Sequence, residues 1–265
     1  MIKFTPYPIT INGSKKDEEV RAKLEARFAK CEIDEIQKIT ELVKAQPNQW
    51  DYKPDSSPQA AHYEGRIKAL LSYIKARTLG RCLLDMLSAR GTLPIWIIPY
   101  DSDQVTMQGA GNANVTWAPE VYVGTKAVRV AYSFDFFIYS AWGKLPGSRA
   151  DEVLFHEMVH AYRFASPSVK MRYNNALPGY EDHEEFLAHH MTNVYRSLQG
   201  AKKFNLDYKQ KKVATAAECE AALRSSKPLM DALKLFLDND PFTQRVAQLK
   251  TLFNPFADFE RLKRA

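Results

Sequence analysis

The sequence contains no long apolar segment. No run of about 18 consecutive apolar residues occurs in its 265 positions, so we expect no transmembrane helix. Residues 1–14 also lack a charged region followed by an apolar run, which is the pattern of a Sec-type signal peptide. We therefore expect a chain that is made in the cytoplasm and has no membrane partner. Secretion into a target cell would need a specialised system that reads no such signal.

Cysteine is scarce. The chain has three, Cys31, Cys82 and Cys219, which lie far apart in the sequence and form no CxxC pair. An odd number of isolated cysteines argues against both a disulfide framework and a cysteine-based zinc site. We expect buried, reduced thiols in a chain that is made in a reducing compartment.

The net charge is small as well. Lysine and arginine total 37 against 31 aspartates and glutamates, which gives a formal charge of +6 at pH 7. Much of the excess comes from one cluster of lysines: Lys202, Lys203, Lys209, Lys211 and Lys212. A solvated surface is the simplest interpretation, and an acidic partner is the alternative. Nucleic acid is not an expected partner, because this segment matches no known nucleic-acid-binding motif.

Hydrophobic periodicity changes twice along the chain. Apolar residues recur at helical spacing over residues 20–43 and again over 67–87. Short β-branched runs punctuated by glycine then predict strands, at residues 93–98, 114–117, 120–123 and 127–132. Helical spacing returns after residue 148 and predicts one helix ending near residue 165 and another from about 182 to 199.

Two histidines and a glutamate form a metal-binding pattern in the first of these later helices. His156-Glu157-Met158-Val159-His160 is an HExxH motif. Residues four apart lie on one helix face, so His156 and His160 can both present an imidazole nitrogen to one zinc ion. Glu157 can then serve as the general base for a zinc-activated water. The apolar neighbours of the motif favour this interpretation, because buried polar groups need a partner to offset their desolvation.

A third zinc ligand is expected downstream. A metzincin would carry a histidine six residues after His160, but that position holds Ser166. A glutamate on a second, packed helix is the alternative, and Glu185 suits it because the small Ala188 allows the helices to approach closely. Other side chains of the same segment stay open as candidates: Asp182, His183, Glu184 and His189.

These residues resemble a known group of zinc peptidases. HEMVHAY followed by EEFLA resembles the gluzincins, whose third ligand is a glutamate on a downstream helix. The likeness is closer to the bacterial effector-type metallopeptidases, which include type III effectors. It covers roughly residues 93–200, where 193–196 is similar to an ENxxR stretch and 115–119 to a strand that ends in proline. The resemblance implies zinc held by His156, His160 and Glu185.

Two positions depart from the family pattern. Thr192 stands where ENxxR begins with glutamate, and His189 stands where many gluzincins carry an acidic residue, four positions after the glutamate ligand. The group that orients the zinc histidines is therefore left open. A donor to the oxyanion of the transition state is also needed. Tyr180 is the favoured candidate because it precedes the Glu185 helix and could swing over the site; the others are His183, His189 and Arg196.

We therefore expect an α+β fold: a helical N-terminal region, a small and mostly antiparallel sheet, a zincin-like active-site helix with a glutamate helix, and a helical C-terminus. A single domain over residues 1–265 is expected, with a helical region at 1–92, a catalytic core at 93–200 and a helical region at 201–265. Nothing in the sequence indicates the oligomeric state.

The predicted function is zinc-dependent metalloendopeptidase activity on protein or peptide substrates, in a bacterial effector or toxin that acts on target-cell proteins. The alternative is an interaction module or toxin without peptidase activity, in which zinc is structural. A structural zinc is closed by four protein ligands, whereas a catalytic zinc keeps one position for water. His183 or His189 as a fourth ligand would favour the alternative.

Overall fold

The computed structural model of the chain describes residues 1–13, 58–89, 91–99, 115–117, 128–132, 146–147, 149–169, 173, 175–207 and 212–264. The helix predicted over residues 20–43 and the strand predicted at 120–123 lie outside the described residues.

The described residues of the N-terminal half form one sheet and two helices. Strands β1 (Ile2–Lys3) and β2 (Ile9–Ile11) come first, followed by helices α1 (Pro58–Lys75) and α2 (Thr78–Leu87). Three more strands follow: β3 (Ile95–Pro99), β4 (Val115–Trp117) and β5 (Val128–Tyr132). Gly91, with φ of 87°, lies between α2 and β3 in the left-handed conformation that glycine adopts without strain.

The C-terminal half is mainly helical. It contains α3 (Ala150–Ala165), α4 (His183–Ser197), a hairpin of β6 (Phe204–Asn205) and β7 (Val213–Ala214), and then four more helices. These helices are α5 (Ala216–Arg224), α6 (Lys227–Asn239), α7 (Pro241–Val246) and α8 (Phe259–Arg264). The observed elements confirm the predicted α+β class.

The sheet is mixed, which corrects the expectation of a mostly antiparallel sheet. Its described strands run in the order β1-β2-β3-β5-β4, with β2-β3 and β3-β5 parallel and the two outer pairs antiparallel. Parallel neighbours need a long crossover, and α1 and α2 supply it between β2 and β3. The sequence did not predict β2, because a three-residue alternation such as Ile9–Ile11 is too short a signal.

Helix α3 is the centre of the packing. It lies against β4 and β5 of the sheet on one side and contacts α1, α2 and α4 on the others. Twelve of its residues are buried, so it is enclosed on nearly every face, as expected for a central helix. The polar residues that α3 carries are therefore drawn into the interior, where each one needs a partner.

Two of the three cysteines lie in the described residues. Cys82 and Cys219 are free thiols, but only Cys219 is buried as predicted, since Cys82 is half-buried; Cys31 lies outside the described residues. None of the helices in the described ranges is long and apolar enough to cross a membrane.

Candidate metal centre

Three side chains from α3 and α4 converge on one point. The Nε2 atoms of His156 and His160 lie 3.2 Å apart. Glu185 reaches both, with Oε2 at 3.3 Å from Nε2 of His156 and Oε1 at 3.2 Å from Nε2 of His160. Among the described residues, this is the cluster of ligand-type side chains that could hold a metal ion.

The spacing of the two histidines explains their convergence. His156 and His160 are four residues apart, so both rings leave the same face of α3, and the rings meet edge to face with centroids 4.9 Å apart. Glu185 lies in the first turn of α4, where its backbone N–H donates to Oδ1 of the N-cap residue Asp182 at 2.9 Å. The cap therefore fixes the point of α4 from which the carboxylate projects.

The donor set has room for a cation at its centre. Oε2 of Glu185 is buried and accepts no hydrogen bond from the described residues, although Nε2 of His156 is 3.3 Å away. A carboxylate and two imidazole nitrogens that face one another need a proton or a metal ion between them, since their lone pairs otherwise repel. The chemistry of these residues therefore fits a divalent metal that prefers nitrogen and oxygen ligands.

The electrostatics of the cluster agree with its geometry. Burial opposes the charged form of His160, but the Glu185 carboxylate outweighs burial and raises the pKa of His160 to about 9. Burial likewise opposes ionisation of Glu185, yet His160 and His156 hold the pKa of Glu185 well below its usual value. Each partner stabilises the charged form of the other, so the site is already organised around a positive charge beside a carboxylate.

Glu157 lies beside the cluster. It follows His156 in α3 and is only 8% exposed, so its carboxylate is held near the ligands and away from bulk water. Tyr132, at the end of β5, is close enough for the Glu157 charge to act on it, and burial is the main cause that raises the pKa of Tyr132 above its usual value. Glu157 thus lies at the boundary between α3 and the sheet.

The structure places the other predicted ligands away from the cluster centre. Glu184 faces Arg163, to which it is bonded at 2.8 and 2.9 Å, and Asp182 caps α4. Nδ1 of His183 lies 2.7 Å from the carbonyl oxygen of Asn175. Nε2 of His189 donates to the carbonyl oxygen of Asn205 at 3.1 Å, and burial lowers the pKa of His189 to about 4, so this ring is neutral.

Tyr180 lies in the core beside α4. Its side chain is 1% exposed, and its hydroxyl oxygen lies 3.1 Å from Nε2 of His190 and 3.4 Å from the carbonyl oxygen of Leu206. Its ring contacts Phe186 and His189 edge to face. These contacts occupy the hydroxyl, so they give no support to the oxyanion role predicted from the sequence, which stays a prediction.

The residues of the NxxR stretch join α4 to its neighbours. Nη1 of Arg196 donates to Oε1 of Glu152 in α3 at 2.6 Å. The side-chain amide of Asn193 donates to the backbone carbonyl oxygen of Asn205 at 2.9 Å and accepts from the backbone N–H of Asn205 at 3.2 Å. These are the two hydrogen bonds that the backbone of a neighbouring strand would make with Asn205. Both residues therefore position α4, and the oxyanion role considered for Arg196 finds no support in its contacts.

The sequence missed a second set of polar contacts around the site. Arg163, three residues after His160 on the same face of α3, bonds Glu184 and Asp240, and Tyr195 donates to Oδ2 of Asp151 at 3.2 Å. The one available signal was an arginine within the apolar last turn of α3, between Tyr162 and Phe164. Its acidic partners could not be identified, because nothing in the sequence indicates that residues 77 positions apart meet.

Comparison with known families agrees with this geometry. The family model Peptidase_M91, described as an effector protein, matches residues 53–250. This match covers most of the chain, includes α3 and α4, and extends beyond residues 93–200 at both ends. A comparison with curated proteins found no match, and neither did a comparison with solved structures.

Proposed function

This chain belongs to the Peptidase_M91 family of effector proteins, and from that premise we propose that it is a zinc-dependent metalloendopeptidase. Its substrates would be proteins of a target cell, into which a specialised secretion system would deliver it. His156, His160 and Glu185 would hold the zinc, and Glu157 would act as general base.

The observation that carries the choice of zinc is the convergence of two imidazole nitrogens and one carboxylate group. A tetrahedral zinc with ligand bonds of about 2.0–2.1 Å holds its ligands roughly 3.3 Å apart. Here the two Nε2 atoms lie 3.2 Å apart, Oε1 of Glu185 lies 3.2 Å from Nε2 of His160, and Oε2 of Glu185 lies 3.3 Å from Nε2 of His156, so each histidine faces a different carboxylate oxygen at close to this spacing. Two histidines and one glutamate are also the ligand set of several catalytic zinc sites, and octahedral ions such as magnesium favour oxygen ligands instead.

The metal site and Glu157 would have separate roles in peptide hydrolysis. When bound, zinc would lower the pKa of a coordinated water to about 7 and polarise the substrate carbonyl. The Glu157 carboxylate would take the proton of the attacking water and pass it to the amine of the leaving group. Its 8% exposure shields that carboxylate from bulk solvent, which strengthens its interaction with the transferred proton.

An extended peptide could bind along β4. This strand is the outermost described strand next to β5, and it also contacts α3, which carries both histidines. A sheet edge offers backbone groups that pair with an extended chain, so a substrate strand added at β4 would lie beside a strand that contacts the helix of the two histidines. This placement favours protein or peptide substrates over small molecules.

The rival interpretation is an interaction module with a structural zinc. Such a site needs a fourth protein ligand. Within the described ranges, the metal-ligating cluster contains three side chains. His183 and His189, the candidates for a fourth, are hydrogen bonded to backbone carbonyl oxygens of Asn175 and Asn205. A site with three protein ligands keeps a position for water, which favours catalysis.

One experiment tests the proposal directly. The zinc-loaded protein and its Glu157→Gln variant would be incubated with a lysate of candidate target cells, and new protein termini would be mapped by mass spectrometry. We expect new termini with the wild-type protein that are absent with the variant, although both bind one zinc. Zinc binding without any Glu157-dependent cleavage would instead support the interaction module.

A further inference from the structure

Arg163 forms a buried ion pair directly beside the candidate metal centre. It lies in the last turn of α3 and is 4% exposed. Its Nε and Nη2 atoms donate to Oε2 and Oε1 of Glu184 at 2.8 and 2.9 Å. Glu184 precedes Glu185 in the first turn of α4. The pair therefore joins the two helices whose separation sets the distance between Glu185 and the histidines.

A second carboxylate connects this pair to the C-terminal helices. Nη1 of Arg163 donates at 3.1 Å to Oδ1 of Asp240, which is fully buried between α6 and α7. Asp240 is the N-cap of α7, and its Oδ2 accepts the N–H and the hydroxyl of Thr243 at 2.8 and 2.7 Å. One guanidinium thus contacts elements that are far apart in the sequence.

The orientation of the guanidinium is strongly constrained. The ring centroids of Phe236 and Tyr173 lie 5.2 and 5.9 Å from its central carbon. The backbone N–H of Tyr173 also donates to Oε1 of Glu184 at 2.9 Å, which fixes the carboxylate from the other side. Because the planar guanidinium is held in this way, it fixes the position and orientation of the Glu184 carboxylate as well as neutralising its charge.

Stability alone does not account for this arrangement. The desolvation of buried charges offsets most of their attraction, and apolar side chains of similar size usually stabilise a core as well. A bidentate arginine–carboxylate pair differs from apolar packing because two parallel hydrogen bonds fix both distance and rotation. Both charges also lie at the helix ends that favour them, a cation at the end of α3 and an anion at the start of α4.

We propose that Arg163 is a positioning residue for the metal centre, which sets the place of Glu185 through Glu184 and makes that place depend on the C-terminal helices through Asp240. This inference rests on the proposed zinc-peptidase function. It implies that the C-terminal region controls zinc affinity although none of its described residues belongs to the ligand cluster.

The test compares zinc affinity in variants of the full chain. Arg163→Lys keeps the charge but removes the two parallel hydrogen bonds. Asp240→Asn keeps the side-chain shape but removes the negative charge that faces Arg163 and caps α7, and it replaces Arg163→Lys in the comparison if that variant does not fold. Ile11, which is fully buried in β2 and lies away from α4, provides the control. Of Ile11→Val and Ile11→Ala, the control is the variant whose Tm falls by the same amount as that of the tested variant.

Zinc affinity would be measured by competition with a chelator, at a temperature where every variant is folded. We expect Arg163→Lys to weaken binding about 10–100-fold, the range seen when outer partners of metal ligands are changed, and the Ile11 control to bind as wild type does. Equal affinity in Arg163→Lys and the control would overturn the inference. If wild-type protein itself binds no zinc, the proposed function fails instead, so the two failures are distinguishable.

Discussion

Oε1 of Glu185 lies 3.2 Å from Nε2 of His160, and the two groups stabilise each other's charge. The pKa of His160 is raised to about 9, and the pKa of Glu185 is lowered. In protein stripped of metal, the ion pair therefore stabilises the fold over a defined pH window. The contribution of His160 is complete below its unfolded pKa of about 6.5 and is lost as the pH rises through about 9.

This ion pair predicts the pH dependence of zinc binding. Zinc must displace the proton of His160, so below a pH of about 9 the apparent affinity should rise with pH, by up to about tenfold per unit. Chelator competition over a series of pH values would measure the slope, and calorimetry in buffers of different ionisation enthalpy would count the released protons. An affinity that does not change between about pH 7 and 8.5 would contradict the assigned pair.

The general base is tested by Glu157→Gln. The amide cannot take a proton from the attacking water, so turnover should fall by about 10²–10⁴. Zinc content should stay at the wild-type level, because the ligand cluster is formed by His156, His160 and Glu185. Turnover on a substrate found in the lysate experiment and metal analysis of the purified protein would be compared. Unchanged turnover would exclude Glu157 as the base.

The third ligand is tested by Glu185→Gln. Loss of the carboxylate should weaken zinc binding by more than the roughly 10–100-fold that an outer partner contributes. Glu181→Gln is a matched control, because Glu181 is an exposed glutamate in the turn before α4. Wild-type zinc affinity in Glu185→Gln, measured by chelator competition, would show that the ligand is another residue.

Site residues that are close together in the sequence could be predicted, whereas contacts between residues far apart in the sequence could not. HExxH is contiguous, so helical geometry alone brought His156 and His160 together. Glu185 followed from its position in a second helix and from resemblance. The partnership of Arg163 with Asp240 was beyond prediction, because 77 residues separate them and any buried acid could have filled the role. The same reason applies to β2, whose parallel pairing with β3 depends on a crossover of helices.

Arg196→Leu tests the contact between the start of α3, which carries Glu152, and the end of α4, which carries Arg196. The variant leaves the Glu152 carboxylate, whose side chain is 3% exposed, with only the more distant guanidinium of Arg149, whose Nε lies 4.0 Å away. Removing one partner of a buried pair costs up to about 3–5 kcal/mol of unfolding free energy, and the remaining Arg149 contact should keep the loss at or below that range. Thermal unfolding should show this loss, whereas the exposed control Arg224→Leu should stay within about 0.5 kcal/mol of wild type. Turnover per folded molecule should be nearly unchanged if Arg196 only positions α4.

Tyr180→Phe separates a structural from a catalytic role for the buried tyrosine. Removing the hydroxyl leaves Nε2 of His190 without its 3.1 Å partner, which should lower the unfolding free energy by about 1–3 kcal/mol. Tyr195→Phe is the matched control, because it removes a comparable bond to Asp151. We expect both variants to lose stability and to keep wild-type turnover. A fall in turnover of about 10²–10³ in Tyr180→Phe alone would instead establish the oxyanion role that the sequence predicts.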